Sequence, residues 1–79
     1  MAALTVYSTS WCPFCRMLIS DLDRAGIPYD EIDVDEDKAA AEIVMKLNNG
    51  NRTVPTVVFA DGSSLTNPPL EDVVDKLSG

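Results

Sequence analysis

The chain of 79 residues contains two cysteines, Cys12 and Cys15, with only two residues between them. A short apolar stretch precedes the pair, and a stretch with helical spacing follows it, so the cysteines lie where a strand gives way to a helix. Residues three apart on a helix are neighbours, and two such thiols can reach disulfide geometry. The spacing therefore predicts a thiol pair capable of thiol–disulfide exchange.

Cys12 is predicted to be the attacking sulfur of this pair. Pro13 follows it, and proline is favoured at the first position of a helix because its missing N–H would be unpaired there. Cys12 is then the N-cap, and its sulfur faces the unpaired backbone N–H groups and the positive end of the helix dipole. Such a position stabilises a thiolate. We therefore expect an exposed, charged Cys12.

Cys15 is expected to differ from Cys12 in burial. It shares one helical stripe with Leu18, Leu22 and Ala25, and a stripe of this kind faces a core. A sheltered thiol remains protonated, so Cys15 is suited to resolving a disulfide formed at Cys12.

Two other uses of the cysteine pair were considered. A structural disulfide would close a loop of about four residues and would restrict the unfolded chain little. Structural zinc normally takes four cysteine or histidine ligands, whereas this chain has two cysteines and no histidine. The setting at the start of a helix favours the redox use.

Composition narrows the classes of partner. Thirteen acidic and six basic residues give a formal net charge of −7, which argues against nucleic acid and anionic membranes as partners. We expect one domain over residues 1–79, with no signal peptide and no run near the ~18 apolar residues of a membrane span. Two cysteines without an export signal suggest a cytoplasmic protein.

The apolar periodicities predict an α/β domain with the order β-α-β-α-β-β-α. We expect a four-stranded mixed sheet with its first two strands parallel and with helices on both faces. The predicted strands cover residues 3–8, 27–34, 55–59 and 63–65. The first two helices cover residues 13–25 and 36–48, and a third is capped by Asn67 with Pro68 in its first turn. The expected core stripes are Ala40, Ile43, Val44 and Leu47 in the second helix, and Leu70, Val73, Val74 and Leu77 in the third.

Four acidic residues lie at or just before the start of the predicted second helix: Asp33, Asp35, Glu36 and Asp37. Carboxylates near the positive end of a helix dipole favour helix initiation, which is the use we expect here. A metal site is a weaker alternative, because the glycine and the terminal glutamate of a calcium-binding loop are missing.

Val54 and Pro55 begin the second informative stretch. Pro55 lacks an N–H and belongs at the first residue of a strand, which leaves the Val54 backbone free to pair with an arriving molecule. On the statistics of X–Pro bonds alone, with cis in about 5–6% of cases, a trans bond is expected.

Together, these stretches resemble the glutaredoxins of the thioredoxin fold. The resemblance rests on a strand followed by Trp-Cys-Pro-Phe-Cys and, about forty residues later, Thr-Val-Pro. It implies a thiol–disulfide oxidoreductase without metal or organic cofactor, with Cys12 and Cys15 as catalytic residues. It also implies a cis Pro55 that faces the cysteines. The implied substrate-binding residues are Trp11, Pro13, Phe14, Arg52, Thr53, Val54, Pro55, Thr66 and Asn67.

One departure from the usual glutaredoxin pattern concerns the choice of small thiol. The Gly-Gly pair that holds glutathione is absent, and Thr66-Asn67-Pro68 resembles instead the mycoredoxins, glutaredoxin-like proteins of bacteria that use mycothiol. The resemblance implies mycothiol and S-thiolated proteins as partners of a monomer, with Arg52 as a mobile positive charge near the site. Two alternatives stay open: an iron–sulfur cluster carrier, and a dedicated electron donor to one enzyme such as ribonucleotide reductase, fed by thioredoxin reductase.

Overall fold

A computed structural model describes residues 4–78, and these fold in the order β-α-β-α-β-β-α. The strands are β1 (Leu4–Ser8), β2 (Asp30–Asp33), β3 (Thr56–Phe59) and β4 (Ser64–Thr66). The helices are α1 (Pro13–Ala25), α2 (Lys38–Leu47) and α3 (Leu70–Ser78). The predicted order of elements is confirmed. Within the described residues, no helix is long and apolar enough to cross a membrane.

The sheet places β1 in its interior. The strand order is β2-β1-β3-β4, with β1 parallel to β2 and antiparallel to β3, while β3 and β4 form an antiparallel hairpin. The predicted four-stranded mixed sheet is therefore confirmed. Because β1 is flanked on both sides, the loop that leaves it toward Cys12 starts from a fixed position.

Apolar side chains cover both faces of the sheet. On one face, α1 and α3 pack over a core of Leu4, Val6, Leu18, Ile19, Leu22, Val57, Phe59 and Val73. On the other face, α2 packs over Tyr7, Val34, Ala40, Ala41 and Val44. The alternation of β1 side chains between the two cores follows from the period of two along a strand.

The two ends of α1 agree with the sequence prediction. Cys12 has extended backbone angles and is the N-cap, and Pro13 follows it in the first turn. Gly26 ends the helix with a φ of 70°, a left-handed conformation that glycine adopts without a Cβ clash. Its N–H donates to the Asp23 carbonyl at 3.1 Å. The helix that carries the cysteines therefore has fixed ends.

Several predicted boundaries were wrong by one to three residues. The strand predicted from residue 27 begins at Asp30, after Pro28, which has no N–H to donate to a sheet. The strand predicted from residue 55 begins at Thr56, β4 is displaced by one residue, and Ala3 lies outside the described residues. Helix α2 starts at Lys38 because the Asp37 carboxylate caps it and accepts the Ala40 N–H at 3.1 Å.

The prediction that Asn67 caps the third helix was wrong. Asn67 has a φ of 47°, and its N–H donates to the Pro55 carbonyl at 2.7 Å. Two prolines follow, and the Pro69 carbonyl accepts the Asp72 and Val73 N–H groups, so α3 starts at Leu70. The left-handed backbone at Asn67 turns the chain toward β3 before any helix can begin.

The predicted core stripes were too wide. Ala25, Ile43, Leu47, Val74 and Leu77 are all exposed. The helices α2 and α3 each pack on the sheet with a face narrower than the apolar stripe. On α2 that face consists of Ala40, Ala41 and Val44, and on α3 it is Val73, beside the half-buried Leu70.

Candidate active site

The Cys12 sulfur lies at the first turn of α1 and is held by two backbone groups. It accepts the Cys15 N–H at 3.3 Å, and its thiol reaches the Val54 carbonyl at 3.8 Å. A thiolate accepts such an N–H bond more strongly than a thiol does, because the bond is then assisted by charge. The predicted N-cap position is confirmed. The predicted exposure was wrong: Cys12 is only 5% exposed, because these contacts turn its side chain inward.

Cys15 lies one turn further along α1 and is fully buried. Burial, and after it the hydrogen bond with the Cys12 sulfur, raise the pKa of the Cys15 thiol from 9.0 to about 12. Both cysteines are free thiols. The pair thus combines a sulfur held by a helix N-terminus with a second sulfur that stays protonated at neutral pH.

The Val54–Pro55 peptide bond is cis, so the trans bond expected from X–Pro statistics was wrong, and the cis bond implied by the resemblance is confirmed. Pro55 is buried, and its carbonyl accepts the Asn67 N–H. On the other side of Val54, the Thr53 carbonyl accepts a hydrogen bond from the Thr56 hydroxyl at 2.8 Å. These bonds fix the segment whose Val54 carbonyl faces Cys12.

Arg52 was predicted as a mobile positive charge near the site, and its half-exposed side chain makes two hydrogen bonds there. Its guanidinium donates to the Val34 carbonyl at 3.1 Å and to the Asp35 carboxylate at 3.3 Å. Asp35 also accepts the Trp11 indole N–H at 2.8 Å. The Trp11 ring is 69% exposed, which agrees with its predicted place at the rim of the site. A cavity of about 190 Å³ lies among Thr9, Trp11, Val34, Asp35, Arg52 and Val54.

Phe14 lines a second cavity, of about 330 Å³. Its ring is 60% exposed, as the sequence predicted. Asn67 belongs to this cavity, whereas Thr66 hydrogen-bonds to Asn48 at 2.5 Å. The lining is Phe14, Met17, Leu18, Asp21, Asn67, Pro68, Pro69 and Leu70.

A family model and several relatives match this chain. The model of glutaredoxin matches residues 4–64. The chain belongs to the glutaredoxin family. A protein of Mycobacterium tuberculosis named as a glutaredoxin is 57% identical over 76 residues, covering 96% of this chain and 90% of the relative. Mycoredoxin 1 of Corynebacterium glutamicum is 49% identical over 77 residues, covering 98% of this chain and 95% of the relative.

Solved structures agree with the fold of this glutaredoxin. The glutaredoxin of Archaeoglobus fulgidus superposes with a TM-score of 0.82 at 28% identity, covering 100% of this chain and 89% of that one. A thioredoxin-like protein superposes with a TM-score of 0.77, also at 28% identity, covering 91% of this chain and 96% of that one. The thioredoxin fold is confirmed, and this glutaredoxin is a thiol–disulfide oxidoreductase whose relatives include a mycoredoxin.

The residues that line the two cavities and that sequence reasoning did not assign to the site include Thr9, Met17 and Asp35. Met17 follows Phe14 at a helical spacing of three, a signal that could have placed it on the same exposed face. Asp35 was assigned to helix initiation, and its role beside Trp11 and Arg52 follows from tertiary contacts alone. The hydroxyl of Thr9 is buried and has no hydrogen-bond partner among residues 4–78.

Proposed function

We propose that this glutaredoxin reduces mixed disulfides between proteins and a low-molecular-weight thiol, with mycothiol as its natural small thiol. The observation that carries the proposal is the position of the Cys12 sulfur, which accepts the Cys15 N–H and faces the Val54 carbonyl. A sulfur held in this way is suited to attack as a thiolate. A substrate that lies along residues 53–55 would bring its own sulfur to Cys12.

The reaction proceeds by thiol–disulfide exchange. The Cys12 thiolate attacks the small-thiol sulfur of the mixed disulfide, a new disulfide joins Cys12 to the small thiol, and the protein sulfur leaves as a thiolate that takes up a proton. The second step has two routes. A second small thiol attacks and leaves as the oxidised dimer, or Cys15 attacks Cys12 and releases the small thiol, which takes up the proton that Cys15 gives up.

Three observations support mycothiol over glutathione. A relative named mycoredoxin is 49% identical over nearly the whole chain. The glycine pair typical of glutathione-binding glutaredoxins is replaced by Thr66-Asn67, and only glycine lets a carboxylate approach the backbone without a Cβ clash. Arg52 is already paired with Asp35, so the cavity beside Cys12 has no net charge to offer an anionic thiol. Glutathione carries carboxylates, whereas mycothiol carries sugar hydroxyls.

The roles of the two cysteines are tested by serine variants. We expect Cys12→Ser to abolish reduction of every mixed disulfide, because no other described sulfur lies at the N-terminus of a helix. We expect Cys15→Ser to retain part of the activity, since the small-thiol route needs Cys12 alone. An active Cys12→Ser protein beside an inactive Cys15→Ser protein would reverse the assignment.

The choice of small thiol is tested separately. One protein is thiolated with mycothiol or with glutathione, and its reduction is followed with the matching thiol and reductase system in each case. We expect faster turnover with mycothiol. Equal or faster turnover with glutathione would reject the mycothiol part of the proposal and leave the exchange chemistry intact. The two alternatives, cluster carrier and dedicated electron donor, find no support in the relatives described above.

A further inference from the structure

A third cavity, of about 300 Å³, adjoins the cavity beside Cys12, and we call it the α2 cavity. The two cavities share Val34, Asp35 and Arg52 as lining residues, so they meet at the Asp35–Arg52 ion pair. A pocket that takes a drug-sized ligand holds about 300–1,000 Å³. The cavity beside Cys12, with about 190 Å³, is below this range alone, whereas the two adjoining cavities together lie within it. The remaining lining of the α2 cavity is Lys38, Ala41, Glu42 and Met45, all on α2.

The charged side chains of the α2 cavity balance one another. Two are acidic, Asp35 and Glu42, and two are basic, Lys38 and Arg52. Neither Lys38 nor Glu42 has a hydrogen-bond or ion-pair partner for its side chain among residues 4–78. An ammonium group donates hydrogen bonds and a carboxylate accepts them, while a hydroxyl does both. A cavity with free donors and acceptors but no net charge therefore suits a neutral polyol better than an ion.

The Trp11 ring gives the cavity beside Cys12 an exposed aromatic face. The ring lines this cavity and is 69% exposed. Its indole N–H donates to the Asp35 carboxylate at 2.8 Å, so the ring is tied to a residue that both cavities share. An aromatic side chain offers a large apolar contact area. A sugar ring has a face of C–H groups that can lie on such an area, with hydroxyls around its edge for the charged neighbours.

Thr9 gives an independent indication that a ligand completes the cavity beside Cys12. The residue lines this cavity, is 2% exposed, and has a buried hydroxyl without a hydrogen-bond partner among residues 4–78. A buried polar group without a partner lowers stability, and most buried hydroxyls in folded proteins are therefore hydrogen-bonded. A ligand rich in hydroxyls, directly or through a water molecule, would supply the partner.

We propose that the cavity beside Cys12 and the α2 cavity together bind the sugar portion of mycothiol, with Trp11 against one ring and with Lys38 and Glu42 hydrogen-bonded to hydroxyls. The inference rests on the proposed use of mycothiol and names its binding surface. In mycothiol an acetylated cysteine is joined through an amide to two linked, uncharged rings, a glucosamine and an inositol. Its sulfur must reach Cys12, and the Val54 carbonyl, which lies against the Cys12 sulfur, belongs to the residue where this surface begins. The rings then follow the two cavities toward α2.

The test uses one protein that carries a mixed disulfide with mycothiol, N-acetylcysteine or glutathione. N-acetylcysteine is mycothiol without its rings. Excess reduced glutaredoxin is added, and the first turnover is followed by mass spectrometry at rising glutaredoxin concentration, which gives a half-saturating concentration and a limiting rate. We expect Lys38→Ala and Glu42→Ala each to raise the half-saturating concentration for the mycothiol disulfide about three- to tenfold, the effect of one lost hydrogen bond. The limiting rate, and both values for the N-acetylcysteine disulfide, should stay unchanged.

Matched controls remove the same charges elsewhere. Lys46→Ala lies on the same helix as Lys38, and Glu71→Ala lies in the first turn of α3, and neither residue lines the two cavities. Both should leave all three disulfides unaffected. All four side chains are exposed and alanine favours helix, so each variant is expected to fold. Equal effects of Lys38→Ala and Lys46→Ala, or of Glu42→Ala and Glu71→Ala, would overturn the inference.

A binding measurement without exchange uses S-methylmycothiol, whose blocked sulfur cannot react. Its addition to the reduced protein should shift the backbone amide NMR signals of Ala41, Glu42 and Met45. Shifts confined to the cavity of Phe14 and Asn67 would overturn the inference.

Failure of the proposed function has a different result. If the wild type reduced the glutathione disulfide as fast as the mycothiol disulfide, mycothiol would be rejected as the natural thiol. If the wild type preferred mycothiol and N-acetylcysteine equally over glutathione, and the variants had no effect, the inference alone would be overturned.

Discussion

The Thr66 hydroxyl donates to the side-chain carbonyl of Asn48, with 2.5 Å between the two oxygens. The Asn48 amide donates in turn to the Val44 carbonyl at 2.8 Å and to the Thr56 hydroxyl at 3.1 Å. One asparagine side chain therefore joins the end of α2 to the hairpin of β3 and β4. Thr66, which the resemblance assigned to substrate binding, uses its hydroxyl within the protein.

We expect Asn48→Ala to lower the free energy of unfolding by about 1–3 kcal/mol, because three partners lose a hydrogen bond. Urea denaturation of the reduced protein measures this loss. Asn51→Ala is the matched control: its exposed amide makes one bond, to the Asn48 carbonyl, and its loss should cost about 0.5 kcal/mol or less. Equal losses in the two variants would contradict the structural role of Asn48.

Glycine substitutions should distinguish the structural role of Thr66 from the role of Asn67 in thiol selection. Thr66→Gly removes the bond to Asn48 and is expected to lower stability without changing the preferred thiol. Asn67 has a φ of 47°, where glycine is not strained, so Asn67→Gly should keep its stability. Because Asn67 lines the cavity beside Phe14, we expect Asn67→Gly to move the ratio of mycothiol to glutathione turnover toward glutathione.

The control for Asn67→Gly is the same change at Asn49, which has a φ of 56° and lies at the end of α2. Asn49→Gly should keep both the stability and the preference for mycothiol. A shift of preference in Thr66→Gly with none in Asn67→Gly would show that the wrong residue had been assigned to substrate.

The order of elements and the cysteine turn could be predicted because they depend on local signals. Pro13 after Cys12 and Gly26 after Ala25 fix the ends of α1 by backbone chemistry that acts within a few residues. Burial could not be predicted in the same way. Cys12 is covered because Val54, forty-two positions later, returns to it. Sequence spacing holds no information about that contact.

The errors in the predicted core concern which part of each apolar stripe is buried. Ile43 and Leu47 lie on the predicted stripe of α2, yet they are exposed, and the buried face of the helix is Ala40, Ala41 and Val44. The pattern i, i+3, i+4, i+7 indicates which side of a helix is apolar, whereas the width that is buried depends on the partner surface. The predicted start of α3 was wrong for another reason. The Asn67 N–H donates to the Pro55 carbonyl, so Asn67 belongs to the chain segment before the helix.

The raised pKa of Cys15 predicts a pH dependence of stability. The folded protein holds this proton more tightly than the unfolded chain, so the stabilisation is fully present below about pH 9 and is lost as the pH rises toward about 12. Between about pH 8 and about pH 10, the free energy of unfolding of the reduced wild type should fall more than that of Cys15→Ala. Parallel declines in the two proteins would contradict the assignment.

Neutralising Asp35 should alter selection of the small thiol by charge. In Asp35→Asn the Arg52 guanidinium keeps its hydrogen bond to the Val34 carbonyl but loses its anionic partner. The cavity beside Cys12 then carries a net positive charge. We expect KM for a glutathione mixed disulfide to fall about two- to fivefold relative to that for the mycothiol counterpart. The change should shrink with added salt. Glu36→Gln, an exposed acid nearby, should leave the ratio unaltered; an equal effect there would point to net charge alone.

The place of β1 between two strands has a consequence for oxidative damage. Amide hydrogens of such an interior strand exchange with water only when the sheet itself opens, and that opening is tied to unfolding of the whole core. Cys15, in the helix that follows this strand, is fully buried. Burial should therefore slow peroxide in carrying the Cys15 thiol to its irreversible sulfinic and sulfonic forms, compared with a thiol that solvent reaches.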